Sequence, residues 1–157
     1  MKIASMKDFD QVYSFFTRPD FVGDITDDNS PHIFHVVKHL LQTSIVAMPS
    51  DGTLFVLTPI NSTTYNVHLN TTQTDKSNVY THTLKMAEWA KENTTVHIAV
   101  SMIPVIYEST LHYAKKIGMT QTGMIGQGFL KQGKRIDIDI MSAEVDQIIK
   151  ELSWLQQ

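Results

Sequence analysis

Three sets of residues in this sequence have the types and spacing for chemistry. Asn66, His68 and Asn70 alternate with Tyr65, Val67 and Leu69, so a short strand would carry two amides and an imidazole on one face and apolar groups on the other. An imidazole titrates near neutrality and can take or give a proton there. His32, His35 and His39 recur at i, i+3 and i+7, near one helical face, with Asp27 and Asp28 upstream. Zinc needs three or four converging ligands held by acidic or backbone partners. With Ile33, Phe34, Val36 and Val37 between them, the histidines read as the exposed side of an amphipathic helix, and no metal is expected. Asp137 and Asp139 alternate with Ile138 and Ile140; both carboxylates share one strand face, as charge that keeps a sheet edge wet would.

Much chemistry is excluded. The chain has no cysteine, which removes disulfides, thiolate nucleophiles and cysteine-based zinc sites. No Walker loop, dinucleotide fingerprint, Gly-x-Ser-x-Gly or His-Glu-x-x-His motif occurs. A formal net charge of −3 argues against nucleic acid as a partner, since such binders cluster basic residues on one face. Lys115-Lys116 is only a pair, and Lys131, Lys134 and Arg135 straddle a turn; solvated surface accounts for both. No apolar run approaches the roughly 20 residues that span a bilayer. Met1 to Asp10 carries Lys2, Lys7 and Asp8 without an apolar core, unlike a signal peptide. The expectation is a soluble, cytoplasmic protein.

The elements that must position these residues follow from periodicity. With 157 residues, 42% of them hydrophobic and 18% charged, one domain with its own core is expected over the whole of 1–157. Met1 to Met6 suits a first strand. From Asp8, Phe9, Val12, Phe15 and Phe16 recur at helical spacing until Arg18-Pro19, where the proline ring disfavours helix in the residue before it. Val22 to Asn29 reads as a loop made acidic by Asp24, Asp27 and Asp28. Ser30 as N-cap and Pro31 at the first helical position open a helix of about His32 to Gln42. Ser44 to Met48 and Thr53 to Thr58 flank Pro-Ser-Asp-Gly, a hairpin in which Asp51-Gly52 tolerates positive φ. A third strand runs from about Thr64 to Asn70.

In the second half, Asn78 caps a helix to about Lys91, and Thr95 to Ile103 is a strand. Pro104 opens a helix with a stripe of Ile106, Thr110, Tyr113, Ala114 and Ile117, which Gly118 ends. Met119 to Leu130 and Arg135 to Met141 pair across Gln132-Gly133. Ser142 caps a last helix through Val145, Ile148, Ile149 and Leu152. The class is α/β (α+β), with a mixed, mostly antiparallel sheet flanked by helices. Its order is β-α-α-β-β-β-α-β-α-β-β plus a C-terminal helix.

The second half also carries a family pattern. Val67-His68-Leu69 precedes a loop and a helix ending Ala87-Glu88-Trp89-Ala90; Val96-His97-Ile98-Ala99 and Pro104 follow. His112-Tyr113-Ala114-Lys115-Lys116-Ile117-Gly118-Met119 then leads to Gly123, Gly128-Phe129, Gly133 and Asp137-Ile138-Asp139-Ile140-Met141. This ordered set resembles the GNAT superfamily of N-acetyltransferases, and in particular the divergent GNAT-like proteins of tailed phages, some of them virion or head-assembly proteins. The resemblance covers about Tyr65 to Ser142 well and the first half by element order only.

That resemblance implies acetyl-CoA as cofactor and an amine as acceptor. The pantetheine arm would lie between two parallel strands, Tyr65 to Asn70 and Thr95 to Ile103, which must splay to admit it. Backbone N–H groups near Leu69, Asn70 and Thr71 would hold the thioester carbonyl. The family's pyrophosphate loop, Gln/Arg-x-x-Gly-x-Gly/Ala, falls on Gln73-Thr74-Asp75-Lys76-Ser77-Asn78, ahead of Val79. Gln73 fits and Lys76 could pair with a phosphate. Lys76 and Asn78 replace the two small residues, and Asp75 adds charge of the wrong sign. The family's tyrosine acid falls on Ala114, with Tyr113 one residue away, about 100° round the helix; its frequent helix-start asparagine falls on Tyr107. Tyr113 and His68 are the candidate acid and base. The other role implied is a catalytically inactive protein with a virion, assembly or host partner. The sequence leaves the oligomeric state open, a homodimer included.

Overall fold

The computed structural model describes residues 1–22 and 26–156. Its strands are β1 (Lys2–Ala4), β2 (Phe21–Val22), β3 (Ile45–Ser50), β4 (Thr53–Pro59), β5 (Thr64–Thr72), β6 (Ile98–Pro104), β7 (Thr120–Lys131) and β8 (Lys134–Glu144). The α-helices are α1 (Phe9–Thr17), α2 (Ile33–Thr43), α3 (Val79–Asn93), α4 (Glu108–Lys116) and α5 (Val145–Leu152). One sheet runs β1-β3-β4-β5-β6-β8-β7, with β2 paired to the far end of β5. Among the described strands only β5 and β6 run parallel, joined by the α3 crossover. The expected element order stands, with β2 as an addition where the sequence suggested loop; Asp24 lies outside the described residues.

The sheet separates two cores. On one face Phe55, Leu57, Tyr65 and Met141 pack with Leu84 and Ala87 of α3, Ala114 of α4 and Ile148 and Leu152 of α5. On the other, Val46, Leu54 and Val56 pack with Val12, Phe15 and Phe16 of α1 and Val37 of α2. Alternation on β4 and β5 builds both at once. Opposed residues share a face: Phe55 faces Leu69 and Leu57 faces Val67 toward the α3 side, while Leu54 faces Asn70 and Val56 faces His68 toward the α1–α2 side.

Several end signals resolve differently from expectation. His32, not Ser30, caps α2, its Nδ1 accepting from Phe34 N–H at 3.2 Å; Ser30 instead donates to Asp27 Oδ1. Asn78 makes no side-chain cap on α3, because its Nδ2 donates to Asp75 at 2.8 Å. Pro104 ends β6, and α4 starts only at Glu108, so Ile106 lies outside the helix and is exposed. Ser142 belongs to β8, and Glu144 precedes α5. Strand β8 lies between β6 and β7, so Asp137 and Asp139 do not guard an edge. Asp137 accepts from Gln127 N–H at 2.7 Å and Asp139 from Gln121 Nε2 at 3.0 Å. The Gln132-Gly133 turn does form, with φ of 50° and 72°, the double positive φ of a tight hairpin whose twist matches its strands.

Candidate functional site

Strands β5 and β6 diverge. They pair only at Thr64, Tyr65 and Asn66 against Ile98, Ala99 and Val100. The next expected bond is replaced by a side chain, Ser101 Oγ donating to Val67 C=O at 2.7 Å, and beyond it no register joins them. Register parity shows which main-chain groups face the gap. Thr72 N–H donates to Gly52 C=O, and Ile60 N–H to Thr64 C=O, each at 2.8 Å. Even-numbered residues of β5 therefore bond β4, and odd-numbered ones turn away. Thr71 faces β2, where the adjoining Gln73 N–H meets Asp20 C=O at 2.8 Å. Of the three residues expected to offer N–H groups, Leu69 alone turns its main chain into the gap. On the other arm, Val145 N–H to His97 C=O and Val105 N–H to Asp137 C=O tie the odd residues to β8, which leaves Met102 facing Leu69.

A cavity of about 880 Å³ opens at this splay. His68, Leu69, Asn70, Thr71, Lys76, Val79, Tyr107 and Tyr113 line it. Gln73, Ser77 and Asn78, the other residues expected to bind the cofactor, are exposed outside the lining. His68 has open surface toward the cavity, yet the walls crowd out bulk water. Loss of that water lowers its pKa from the ordinary imidazole value. Its Nε2 lies 3.0 Å from Asn66 Nδ2. With Asn66 donating, the Nε2 lone pair is occupied and Asn66 Oδ1 is buried without a partner. Turning the amide over pairs Oδ1 with an Nε2–H and leaves Nδ1 as the basic nitrogen. Two residues on, Asn70 Nδ2 is also buried without a partner.

Tyr113 is fixed by contacts the sequence did not suggest. Its hydroxyl bonds Thr83 Oγ1. Thr83 gives its own hydrogen to Val79 C=O at 2.7 Å, so the tyrosine proton points at Thr83. Burial pushes the Tyr113 hydroxyl well above the usual range, against the Thr83 bond. Tyr80 packs on its ring at 5.5 Å. Ala114 also reaches the cavity wall, 2% exposed. Tyr107 packs edge-on against Phe129 at 6.1 Å.

The loop ahead of α3 curls without glycine. Asp75 N–H returns to Thr72 C=O, Asn78 N–H returns to Asp75 C=O, and residues 76–78 form a 3₁₀ turn. Asp75 φ is −104° and Asn78 φ is −95°, so neither needs the left-handed region. The Asp75 carboxylate is engaged within the protein and lies outside the cavity lining. Its Oδ2 accepts from Ser50 Oγ and Thr53 Oγ1, each at 2.5 Å, Oδ1 accepts from Asn78 Nδ2, and His82 Nε2 lies 3.1 Å from Oδ2. Burial alone would raise its pKa; the hydrogen bonds from Asn78, Ser50 and Thr53, with His82 close beside, outweigh it and hold the carboxyl well below the usual range. Gly52 makes room for this hub. A Cβ there would sit 2.7 Å from Asp75 Cβ and 2.8 Å from Thr72 Oγ1, so close approach, not positive φ, requires the glycine. Lys76 reaches the cavity and makes no ion pair among the described residues.

A clasp closes the α1–α2 side. Asp28 Oδ1 and Oδ2 accept from Gln132 and Gly133 N–H, both at 2.8 Å, and Lys131 Nζ donates to Thr26 C=O at 2.9 Å. The Gly133 and Gln132 N–H groups keep the Asp28 carboxyl below its ordinary pKa. Asp28 was readable only as loop acidity, since its partners lie more than 100 positions away. In Asp28→Ala the Gln132 and Gly133 amides are expected to exchange hydrogen at least ten-fold faster, with the core amides of β4 unchanged; mass-resolved exchange measures both. His32, His35 and His39 are exposed on α2, and no metal-holding group of three acidic or histidine side chains occurs among the described residues.

Comparison with solved structures gives this architecture its class. A spermidine N-acetyltransferase chimera of Vibrio cholerae SpeG and hSSAT superposes with a TM-score of 0.75 at 10% identity, over 94% of this chain and 96% of that one. A putative phosphinothricin N-acetyltransferase gives 0.69 at 16% identity, over 92% and 96%. An N-acetyltransferase from Staphylococcus aureus Mu50 gives 0.69 at 12% identity, over 92% and 96%. No protein-family profile matches the sequence. No curated protein matches it. The chain has the GNAT fold, a mixed, mostly antiparallel sheet flanked by five helices.

Proposed function

We propose that the protein is an acetyl-CoA-dependent N-acetyltransferase. The observation that carries this reading is the splay of β5 from β6, with the Leu69 main chain and a cavity of about 880 Å³ at the opening. The chain's likeness in fold to N-acetyltransferases supports it. The gap would hold the pantetheine arm, with Leu69 C=O and the Met102 main chain bonding its amides as a strand would and Leu69 N–H left for the thioester. Lys76 and the opening N–H groups of the turn before Val79 meet the pyrophosphate. The amine nitrogen attacks the thioester carbon, forming a C–N bond as the C–S bond breaks. Leu69 N–H stabilises the oxygen that gains charge. The nitrogen's proton goes to the free ring nitrogen of His68, and the thiolate takes one from Tyr113, once its hydroxyl leaves Thr83, or from water.

The test combines calorimetry with thiol release. Acetyl-CoA is expected to bind in the micromolar range, and absence of heat at millimolar ligand would falsify this reading. His68→Ala is expected to lower the rate at least a hundred-fold with cofactor binding retained. Because the His68 pKa is lowered, its basic form persists below the ordinary imidazole titration near 6.5. The acid limb of kcat/KM is expected at a correspondingly lower pH.

A second reading, a non-catalytic member with a protein partner such as a phage virion or assembly factor, is favoured by two observations. Lys76 and Asn78 stand where the family pattern has small residues, so the cofactor loop is degenerate. The Tyr113 proton is also committed to Thr83. This reading expects no acetyl-CoA heat and unchanged stability in His68→Ala.

A further inference from the structure

The α1–α2 side of the cavity has a chemistry of its own, and the argument from it rests on the transferase reading. From the sheet it receives Val56, Met102 and Ile138, and from the helices above it Phe16, Val36 and Leu40. Met102 is 40% exposed and stands on the arm opposite His68. Polar groups on this face include a strip on β5, where Asn70, 6% exposed, has its Nδ2 buried without a partner.

Among the described residues that line the cavity, none is Asp or Glu, and the ammonium groups there, Lys76 and Lys131, are cationic. Three described carboxylates are engaged elsewhere: Asp28 by the Gln132 and Gly133 N–H groups, Asp137 by Gln127 N–H and Asp139 by Gln121. A ligand with several ammonium groups would leave charge in an apolar enclosure where no described lining residue supplies a counter-charge, and desolvation then opposes binding. An apolar body displaces water from Met102, Ile138 and Leu40 at a gain proportional to the area covered.

We infer that the acceptor is a monoamine with an uncharged, apolar body, and not a polyamine. Its single nitrogen sits beside His68, and its body covers Met102 and Ile138. Asn70 Nδ2 donates to one oxygen where the body has one.

The test is calorimetry of the full chain with phenethylamine and with spermidine at fixed ionic strength, without cofactor. Phenethylamine is expected to bind at least ten-fold more tightly. Met102→Glu, a change at a half-open position, is expected to narrow or reverse that ratio while the melting temperature holds. Spermidine binding equally or better, or no heat from phenethylamine, overturns the inference. Acetyl-CoA is titrated separately. If phenethylamine binds and acetyl-CoA does not, the transferase reading fails while the cavity's preference for an apolar monoamine stands.

Discussion

Asp75→Ala is expected to lose about 3–5 kcal/mol of stability, a fall in Tm of roughly 10 °C for a chain of this size, measured by calorimetric melting. The carboxylate accepts from Ser50, Thr53 and Asn78 and sits 3.1 Å from His82 Nε2. Its removal leaves the half-buried Ser50 and fully buried Thr53 hydroxyls without their acceptor and unties the loop of residues 73–78 from the β3–β4 turn. Asp75→Asn keeps one acceptor oxygen and is expected to lose less. The pH dependence has a definite sign. Folding lowers the Asp75 pKa, so its contribution is complete above the ordinary carboxyl pKa near 3.9 and is lost as pH falls through and below that value. The wild-type chain is therefore expected to lose stability more steeply on the acid side than Asp75→Asn. Equal acid limbs would show that the hub contributes little.

Two proline substitutions one residue apart are expected to have opposite outcomes. Leu69→Pro removes an N–H that faces the gap, so no ladder bond to β4 is lost, and the fold is expected to persist. Acetyl transfer is expected to fall by roughly 10²–10³-fold, the loss seen when one oxyanion donor is removed. Asn70→Pro removes an N–H that the register directs at Leu54, inside a central strand, and is expected to unfold the chain. Circular dichroism separates the two variants, and thiol release reads the first. Full activity in Leu69→Pro would show that the carbonyl is held elsewhere.

Different parts of the site were accessible at different levels. Alternation placed His68 and Asn70 on one face of a strand because side-chain period is local. Apolar periodicity located the helices for the same reason, and Gln132-Gly133 announced a turn that both φ angles require. End signals were less dependable. Ser30, Asn78 and Ser142 are good local caps, yet Ser30 and Asn78 bond to Asp27 and Asp75 while Ser142 bonds Thr122. The loop glycines showed the same limit. Lys76 and Asn78 stand where the family pattern has small residues, yet a 3₁₀ turn and the Asp75 hub curl the loop at negative φ.

By itself the sequence determined the element order, the two-sided patterning of β5 and the positions of His68, Leu69 and Tyr113 in that order. These depend on spacing along the chain. Only the tertiary structure decided that β5 and β6 part after three paired residues, that Leu69 N–H is the group left facing the gap, and that Asp75 turns away from it. It also set Asp28 on a hairpin tip more than 100 residues away. Each of these depends on which distant strand or hydroxyl takes a hydrogen bond, and buried polar groups take whichever partner the packed elements bring within about 3 Å.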